Sequence, residues 1–252
     1  MSEYQTKLHS VPSGGFLTDR DKDKKPILDV RELGIDFGGL TAVDGFNLMI
    51  GRNEITGLIG PNGAGKTTVF NLLTNVYQPT RGSILIDGMP TAGKKTYQVN
   101  RMGVARTFQN IRLWKSMTVF ENVLVAKHMR AKQNVFSAIF RANAKEDARM
   151  QEETMALLQE QGLEQYKDEI ATSLPYGLQR RLEIARALAT DPKLLLLDEP
   201  AAGLDEKTRV ELEKQIAQLP CEILIVAMHN YSPEFLDSFT KVLRIRDGEI
   251  VM

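Results

Sequence analysis

The chain contains at residues 60–68 the stretch Gly60-Pro61-Asn62-Gly63-Ala64-Gly65-Lys66-Thr67-Thr68, a glycine and four free positions followed by Gly-Lys-Thr. Apolar residues from Glu54 to Ile59 predict a short buried strand before it, and those from Thr67 to Leu73 have helical spacing. The glycines allow successive backbone N–H groups to converge on phosphate oxygens, at a helix N-terminus that favours anions. We therefore predict that a nucleoside triphosphate binds here, with Lys66 at the β- and γ-phosphates and Thr67 as a Mg²⁺ ligand. The alternative is a glycine-rich turn with a surface lysine.

The composition is that of a globular protein with balanced charge. Of the 252 residues, 42% are apolar, and 32 Lys and Arg match 32 Asp and Glu. Zero net charge argues against bulk attraction to polyanions, so we expect no nucleic-acid partner. The single cysteine, Cys221, cannot form an internal disulfide, which favours a reducing compartment. No apolar run approaches the roughly 20 residues of a membrane span, and no signal-peptide core is present, so we expect a cytoplasmic protein that reaches membranes through a partner.

Apolar segments on both sides of the phosphate loop (Gly60–Thr68) predict strands. They are Leu28–Ile35 and Phe46–Ile50 before the loop, separated by Phe37-Gly38-Gly39, and Gly82–Ile86, Leu194–Leu197 and Ile223–Ala227 after it. The last two lack polar alternation, as expected for interior parallel strands that are covered on both faces. Asp87-Gly88 predicts a turn, and Asp247-Gly248 predicts a hairpin between Thr240–Ile245 and Glu249–Val251.

A helix-rich region lies between these groups of strands. Thr118 and Glu121 have the spacing of a capping box and predict a helix from Val119 to about Met129. Helical spacing also covers Asn143–Gln161, Arg180–Ala189 and Glu206–Leu219, and Val135–Phe140 is a compact apolar cluster that could contact a partner or form a small satellite core. We expect a mobile N-terminal arm at 1–26, a nucleotide-binding core at 27–109 and 187–252, and a helical subdomain at 110–186.

Two carboxylates, Asp198 and Glu199, follow the strand at Leu194–Leu197. A carboxylate at the end of a buried strand suits the coordination shell of Mg²⁺, directly or through water. A second carboxylate one residue later can polarise an attacking water. An acidic strand-to-loop turn is the alternative, but the phosphate loop favours the chemical interpretation.

A second helix start with anion-binding character lies at Leu174-Pro175-Tyr176-Gly177-Leu178-Gln179-Arg180-Arg181. Gly177 permits close backbone approach, and the helix N-terminus is partly positive. Because the chain already has one phosphate loop, this site makes sense if it faces a nucleotide on another subunit. A Pro-Gly loop that caps a helix remains the alternative.

Taken together and in order, six motifs resemble those of an ATP-binding-cassette (ABC) ATPase. They are the Walker A loop at Gly60–Thr68, the Q-loop at Gln109, the signature at Leu174–Arg181, the Walker B strand at Leu194–Pro200, the D-loop at Gly203–Asp205 and the H-loop at His229. The resemblance covers about Leu28 to Val251. It implies an α/β fold of the P-loop NTPase class, with a RecA-like core, an antiparallel β subdomain and a helical signature subdomain.

Further segments are similar to the LivG-type subunit of branched-chain amino-acid importers. They are Phe37–Leu40, Gly103–Gln109, Met117–Asn122, Gln179–Arg186 and Asp198–Leu204. This resemblance implies an ATP-hydrolysing subunit that couples hydrolysis to the import of branched-chain amino acids or similar small solutes. One departure is Met228-His229-Asn230, where that branch usually has Glu-His-Asp.

The resemblance implies roles for residues of the chain's own nucleotide site. Phe37 would stack on the adenine, a contact worth about 1–3 kcal/mol for a base, and Val43 would lie near the ribose. Gln109 would sense Mg²⁺ and the attacking water, Glu199 would polarise that water, and His229 would contact the γ-phosphate. Taken alone, core packing for Phe37, a solvated amide for Gln109 and a structural role for His229 are the alternatives.

The resemblance also implies ATP and Mg²⁺ as bound species, in a dimer of cassettes that closes head to tail. The partner's ATP would contact Ser173, Tyr176, Gly177 and Gln179, and Asp205 would act across the interface. Implied partners are a second ABC ATPase subunit, with a heterodimer favoured over a homodimer, the integral membrane permease and, indirectly, a solute-binding protein. The chain would lie on the cytoplasmic face of the inner (plasma) membrane.

Two other classes of function stay open on the sequence. A soluble ABC-type ATPase could act on ribosomes, DNA or protein complexes, although such relatives usually carry two cassettes or long insertions, which this sequence lacks. A kinase or GTPase could use the same loop, but a guanine-reading Asn-Lys-x-Asp segment is absent and the signature would have no role.

Overall fold

The structure is a computed structural model that describes residues 26–52, 54–128, 144–219 and 221–251. The predicted N-terminal arm, apart from its last residue, and the apolar cluster Val135–Phe140 lie outside these ranges. Within them, the chain forms a six-stranded sheet, a four-stranded sheet and seven α-helices.

The six-stranded sheet carries the phosphate loop. Its order is β10-β9-β3-β8-β7-β6, and all neighbours are parallel except β9 and β10. The strands are β3 (Glu54–Ile59), β6 (Val104–Arg106), β7 (Leu194–Asp198), β8 (Ile223–Met228), β9 (Lys241–Arg246) and β10 (Glu249–Val251). β7 and β8 are buried along their whole length, which confirms the prediction of interior parallel strands.

The four-stranded sheet is antiparallel and has the order β2-β1-β4-β5. Its strands are β1 (Leu28–Phe37), β2 (Leu40–Ile50), β4 (Arg81–Ile86) and β5 (Met89–Pro90). The predicted turn at Asp87-Gly88 is present, with φ of 51° and 75°. β2 begins at Leu40, six residues before the predicted start at Phe46, because Gly38 and Gly39 form a turn so tight that Phe37 and Leu40 already pair.

Seven α-helices complete the described part of the chain. They are α1 (Lys66–Leu73), α2 (Thr96–Arg101), α3 (Val119–His128), α4 (Ala144–Glu160), α5 (Tyr176–Leu188), α6 (Glu206–Ile216) and α7 (Pro233–Asp237). The predicted capping box opens α3, where Thr118 N donates to Glu121 Oε2 at 2.8 Å and Glu121 N donates to Thr118 Oγ1 at 3.1 Å. None of the described helices has both the length and the apolar character needed to cross a bilayer.

Helix α5 begins at Tyr176, four residues earlier than predicted. Pro175 precedes it in an extended conformation, and its carbonyl accepts from the N–H groups of Leu178 and Gln179. Gly177 therefore lies in the first helical turn rather than in a loop. Glycine is needed there for packing, since a Cβ at Gly177 would lie 2.8 Å from Thr208 Cγ2 of α6.

The core consists of three apolar clusters. Alternate residues of β7 point to opposite faces of the six-stranded sheet: Leu194 and Leu196 pack in one cluster, Leu195 and Leu197 in another. The third cluster is formed mainly by α3, α4 and α5, with no strand in it. This arrangement places the ends of β3, β7 and β8 next to one another.

Candidate nucleotide site

The phosphate loop follows β3 and leads directly into α1. Gly60 N donates to Met228 O at the end of β8, at 3.3 Å. Gly63 and Gly65 have φ of 82° and 102°, which side chains rarely allow. A Cβ on Gly60 would clash with the carbonyl oxygen of Ile245 in β9. The glycines of the motif are therefore required by the backbone path itself.

The turn between β9 and β10 closes against this loop. Gly248 N donates to Ala64 O at 3.0 Å, and Gly248 O accepts from Asp44 N of β2 at 3.2 Å. The four-stranded sheet and the final hairpin thus hold the loop from the side opposite β8. Pro61, Asn62, Gly63 and Thr67 are exposed, which leaves the outer face of the loop open to solvent.

Lys66 is buried and bonded across the loop. Its Nζ donates to the carbonyl oxygens of Gly60 at 2.7 Å and Pro61 at 2.9 Å, and lies 3.2 Å from Glu199 Oε1. The side chains of Lys66 and Glu199 are only 6% and 8% exposed. An ammonium and a carboxylate at this depth need each other, because neither can be solvated alone.

Glu199 is held on its other side by His229, since His229 Nδ1 lies 2.7 Å from Glu199 Oε2. The backbone of Glu199 has φ of 48°, an uncommon conformation for a residue other than glycine. Its N–H donates to Ala227 O at 2.9 Å and its carbonyl accepts from Ala202 N at 3.1 Å, which stabilises this conformation. The structure thus brings Lys66, Glu199 and His229 together.

Asp198 meets Thr67 at the start of α1. Thr67 Oγ1 donates to Asp198 Oδ1 at 3.4 Å, so a hydroxyl and a carboxylate oxygen converge beside the phosphate loop. Oxygen ligands of this kind suit Mg²⁺, and the pair fits the predicted metal site. Within the described residues, no group of three or more His, Cys, Asp and Glu side chains is arranged to hold a metal ion.

Arg106 was not predicted as a site residue, but the structure places it beside Asp198. Arg106 Nη2 donates to Asp198 Oδ2 and its Nη1 to Asn71 Oδ1, each at 2.7 Å. Burial lowers the pKa of Arg106, and the hydrogen bond and charge of Asp198 oppose that shift. Its position at the end of an apolar strand is a signal that the sequence contains. Its partners Asn71 and Asp198 could not be predicted, because they are remote in sequence.

Gln109 has an exposed side chain, and its backbone carbonyl accepts from Arg180 of α5.

Phe37 is 42% exposed at the end of β1, where its ring packs edge-on against Tyr77 with centroids 5.2 Å apart. Val43, predicted near the ribose, has no exposed surface and packs in the core beneath the loop. Phe37 is therefore partly accessible to solvent, whereas Val43 is enclosed by the core.

The remaining predicted residues form a separate surface, the signature corner, which comprises residues 173–179 and Asp205. Tyr176 is 45% exposed, and Gly203 lies close to its ring. Asp205 is the N-cap of α6 and accepts from Thr208 N at 3.0 Å and Thr208 Oγ1 at 2.6 Å; these bonds lower its pKa.

The polar side chains of the signature corner bond locally. Ser173 Oγ donates to Ile170 O at 2.7 Å, and Gln179 Nε2 donates to Leu174 O at 2.8 Å. In the described part of the chain, no hydrogen bond or ion pair joins this corner to the phosphate loop. The predicted nucleotide contacts thus fall into two groups.

The sequence profile of the ABC transporter family matches residues 43–202, which include the phosphate loop, Asp198 and Glu199. The chain belongs to this family. It is 43% identical over 231 residues to the high-affinity branched-chain amino acid transport ATP-binding protein BraF of Pseudomonas aeruginosa, covering 90% of this chain and 88% of that protein. It is 47% identical over 197 residues to the corresponding LivG protein of Escherichia coli K12, covering 77% of each.

Solved ABC cassettes have the same fold. The ATP-binding cassette MJ1267 of an ABC transporter has a TM-score of 0.77 and 26% identity, covering 91% of both chains. The protein cbiO1 of Clostridium perfringens, part of the ABC transporter complex cbiONQ, has the same score and identity, covering 91% of this chain and 88% of that one. The predicted ABC ATPase fold and the LivG-type resemblance are confirmed.

This ABC protein therefore binds and hydrolyses ATP as the ATP-binding subunit of a transporter. ATP-binding subunits of this kind work with membrane permeases.

Proposed function

We propose that this chain hydrolyses ATP to drive the import of branched-chain amino acids or similar small solutes. The similarity to BraF and LivG over most of the chain carries this proposal. A cassette contacts nucleotide and permease rather than cargo, so the solute is inferred from these relatives and not from the site. The chain would lie on the cytoplasmic face of the inner membrane, bound to the permease and thereby coupled to a solute-binding protein.

Lys66 would control the catalytic carboxylate of Glu199. The Lys66 ammonium is bonded to two loop carbonyls and paired with Glu199. Phosphate oxygens carry more negative charge than carbonyl oxygens, so Lys66 is expected to turn to the β- and γ-phosphates when ATP binds. Glu199 then loses its cationic neighbour and can accept a proton from the attacking water.

His229 and Asp198 would complete the chemistry. With Nδ1 of His229 directed at Glu199, its Nε2 remains for the γ-phosphate. Thr67, Asp198 and, after a movement of its loop, Gln109 would bind Mg²⁺, which would neutralise charge on the phosphates. Arg106 would keep the Asp198 carboxylate oriented, because it occupies Oδ2 and leaves Oδ1 toward Thr67.

A second cassette would supply the rest of the site. ATP would lie between Gly60–Thr68 of one subunit and the signature corner of the other, where the exposed ring of Tyr176 would be free to contact it. The phosphates would bridge two partly positive helix starts and so stabilise the closed dimer. We favour a heterodimer with a related subunit. The helical subdomain (110–186) would move against the core (27–109 and 187–252), and this movement would be transmitted to the permease.

Uptake measurements test this function. Cells that lack the chain should lose high-affinity uptake of labelled leucine, isoleucine and valine, and the wild-type chain should restore it while Glu199→Gln should not. Purification from native membranes should recover a permease. Normal uptake of all three amino acids, or recovery with ribosomes instead of a permease, would contradict the proposal and favour the soluble ATPase.

A further inference from the structure

The turn that carries Phe37 is bonded to the neighbouring strand β4 by one arginine, Arg81, the first residue of that strand. Arg81 Nη1 donates to Asp36 Oδ2 of β1 at 2.8 Å, and its Nε and Nη2 donate to Asp44 Oδ1 of β2 at 3.1 and 2.7 Å. Because β1 lies between β4 and β2 in the sheet, this side chain crosses β1 to reach β2. One guanidinium therefore joins all three strands beside the turn.

Gly34 of β1 makes this crossing possible. A Cβ at Gly34 would lie 2.6 Å from Arg81 Nε and 2.8 Å from Arg81 Cγ, distances at which the atoms would clash. The backbone holds β4 beside this point, because Gly34 O accepts from Thr80 N at 3.0 Å. Any side chain larger than hydrogen at this position would displace Arg81 from its place over β1.

Asp36, which directly precedes Phe37, is bonded through both carboxylate oxygens. Its Oδ1 accepts from Thr41 Oγ1 of β2 at 2.7 Å, and its Oδ2 accepts from Arg81 and, at 3.3 Å, from Thr80 Oγ1. The hydrogen bond from Thr41 and the charge of Arg81 hold the pKa of Asp36 below its usual value. The backbone just before Phe37 is thus fixed to both neighbouring strands.

Asp44 connects this network to the phosphate loop. Its N–H donates to Gly248 O at 3.2 Å, and Gly248 N donates to Ala64 O of the loop at 3.0 Å. Arg81 therefore bonds on one side to the residue before Phe37 and on the other to a residue that is linked to the loop. Adenine and triphosphate belong to one molecule, so stacking needs Phe37 at a suitable distance from the loop.

We propose that Arg81 is a positioning residue that holds Phe37 at the distance from the phosphate loop at which its ring stacks on the adenine. This inference rests on the proposed function through the predicted stacking of the adenine on Phe37. Without Arg81, the carboxylates of Asp36 and Asp44 lose their shared cation and repel each other, so the turn moves. All three side chains are partly exposed, and such ion pairs contribute little to stability, so the change is felt in ATP affinity rather than in folding.

The test measures what the base adds to binding, as the ratio of the affinity for ATP to the affinity for inorganic triphosphate. Isothermal titration of the purified chain gives both values. In Arg81→Gln, this ratio should fall by about 3- to 10-fold, within the roughly 5- to 150-fold that loss of the whole stacking contact would cost. The affinity for triphosphate should change by less than about twofold. KM for ATP should rise while kcat at saturating ATP stays within about twofold, because no residue of the chemistry moves.

Gly34→Ala covers the case in which Arg81→Gln does not fold. It keeps every charged group but forces the Arg81 side chain off β1, so it should lower the same ratio by a similar factor. A double variant of Arg81→Gln and Phe37→Ala should have the ratio of Phe37→Ala alone, because an absent ring cannot be misplaced. An effect of Arg81 that did not act through Phe37 would add to the loss in Phe37→Ala.

Arg31→Gln is the matched control. It also removes an arginine that is paired with an aspartate of the four-stranded sheet, but Arg31 Nη2 bonds to Asp29 Oδ2 at 2.7 Å, toward the end of β1 opposite Phe37. Arg31→Gln should retain the wild-type ratio.

An unchanged ratio in folded Arg81→Gln or Gly34→Ala would overturn the inference, as would additive losses in the double variant or an equal loss in Arg31→Gln. A wild-type ratio in Phe37→Ala would also overturn it, because the base would then not stack on that ring. Failure of the import function is separable. Normal amino-acid uptake in cells that lack the chain contradicts the proposed function, whereas uptake that depends on the chain, with an unchanged ratio in Arg81→Gln, contradicts only this inference.

Discussion

The phosphate-loop corner and the signature corner differ in how their polar groups are satisfied. At the first, Lys66, Glu199 and His229 bond to one another and lie against the ends of three strands. At the second, Tyr176 is nearly half exposed and Asp205 bonds only to the first turn of its own helix. The first corner is a built site that joins residues remote in sequence, and the second is a surface whose polar side chains bond to residues near them in sequence.

This difference follows from where each corner lies. Parallel strands bring their carboxyl ends to one edge of a sheet, so residues far apart in sequence meet there and can pair. The signature corner lies at the start of α5, where Tyr176 is exposed and the free N–H groups of a helix start favour an anion. In the proposed dimer, the ATP of the second subunit would be that anion.

The largest effect expected is on turnover in Glu199→Gln. The amide cannot accept the proton of the attacking water, so kcat should fall by about 100- to 10,000-fold. ATP binding should remain nearly intact, and an ATP-dependent dimer should appear on gel filtration because hydrolysis no longer reopens it. Hydrolysis at the parental rate would exclude Glu199 as the catalytic base and remove the main chemical distinction between the two corners.

Arg106→Gln should lower stability strongly, since it leaves Asp198 charged and buried without its partner. Breaking such a pair typically costs about 3–5 kcal/mol in the free energy of unfolding, which urea denaturation measures. Arg52→Gln is the matched control, because Arg52 pairs with Glu222 where the two side chains are 36% and 40% exposed, so its loss should lower stability far less. Similar losses in both variants would show that the Arg106 contact is no more important than a surface pair.

Lys66→Ala should weaken ATP binding by about 10- to 100-fold, because a charge-assisted hydrogen bond is worth about 1.5–3 kcal/mol. Isothermal titration with ATP measures this directly. Lys193→Ala, which removes a half-exposed lysine paired with Asp87, serves as the control and should bind ATP normally. Unchanged affinity in Lys66→Ala would contradict the assignment of the phosphate loop.

Phe37→Ala tests whether the partly exposed ring of Phe37 stacks on the adenine of ATP. Loss of a stacked base should cost about 1–3 kcal/mol in ATP affinity. Leu40→Ala removes an even more exposed apolar side chain from the same turn and should have little effect. Equal affinities for the wild type and Phe37→Ala would leave Phe37 as a packing partner of Tyr77 alone.

The smallest effect concerns Asp205 of the signature corner. Hydrogen bonds from Thr208 hold its pKa below the usual value. Because the folded pKa is below the unfolded one, the stabilisation is present above the unfolded pKa of about 3.9 and is lost as pH falls through the folded pKa. The difference in the free energy of unfolding between wild type and Asp205→Asn should therefore shrink in acid. A difference that stays constant from neutral pH to about pH 3 would show that Thr208 does not stabilise the carboxylate.

Local patterns predicted the elements that carry the site. The phosphate loop, its strand and its helix are contiguous, so spacing and glycine content suffice to recognise them, and the capping box before α3 is equally local. Arg106 and Arg180 escaped prediction because their partners are remote along the chain: Arg106 bonds to Asp198 and Arg180 to Phe108. The early start of α5 was hidden by Gly177, which is required by the contact with Thr208 rather than by a turn.

The sequence by itself determined the family and the main strands and helices around the phosphate loop, because these depend on short contiguous motifs. It did not predict β5, β6, α2 and α7. Only the tertiary structure decided that Lys66 and Glu199 form a buried pair and that Val43 lies inside the core. It alone decided that Gln109 is bonded to α5. These contacts depend on which strand ends and helix faces come together, and that follows from packing of the whole chain rather than from any one segment.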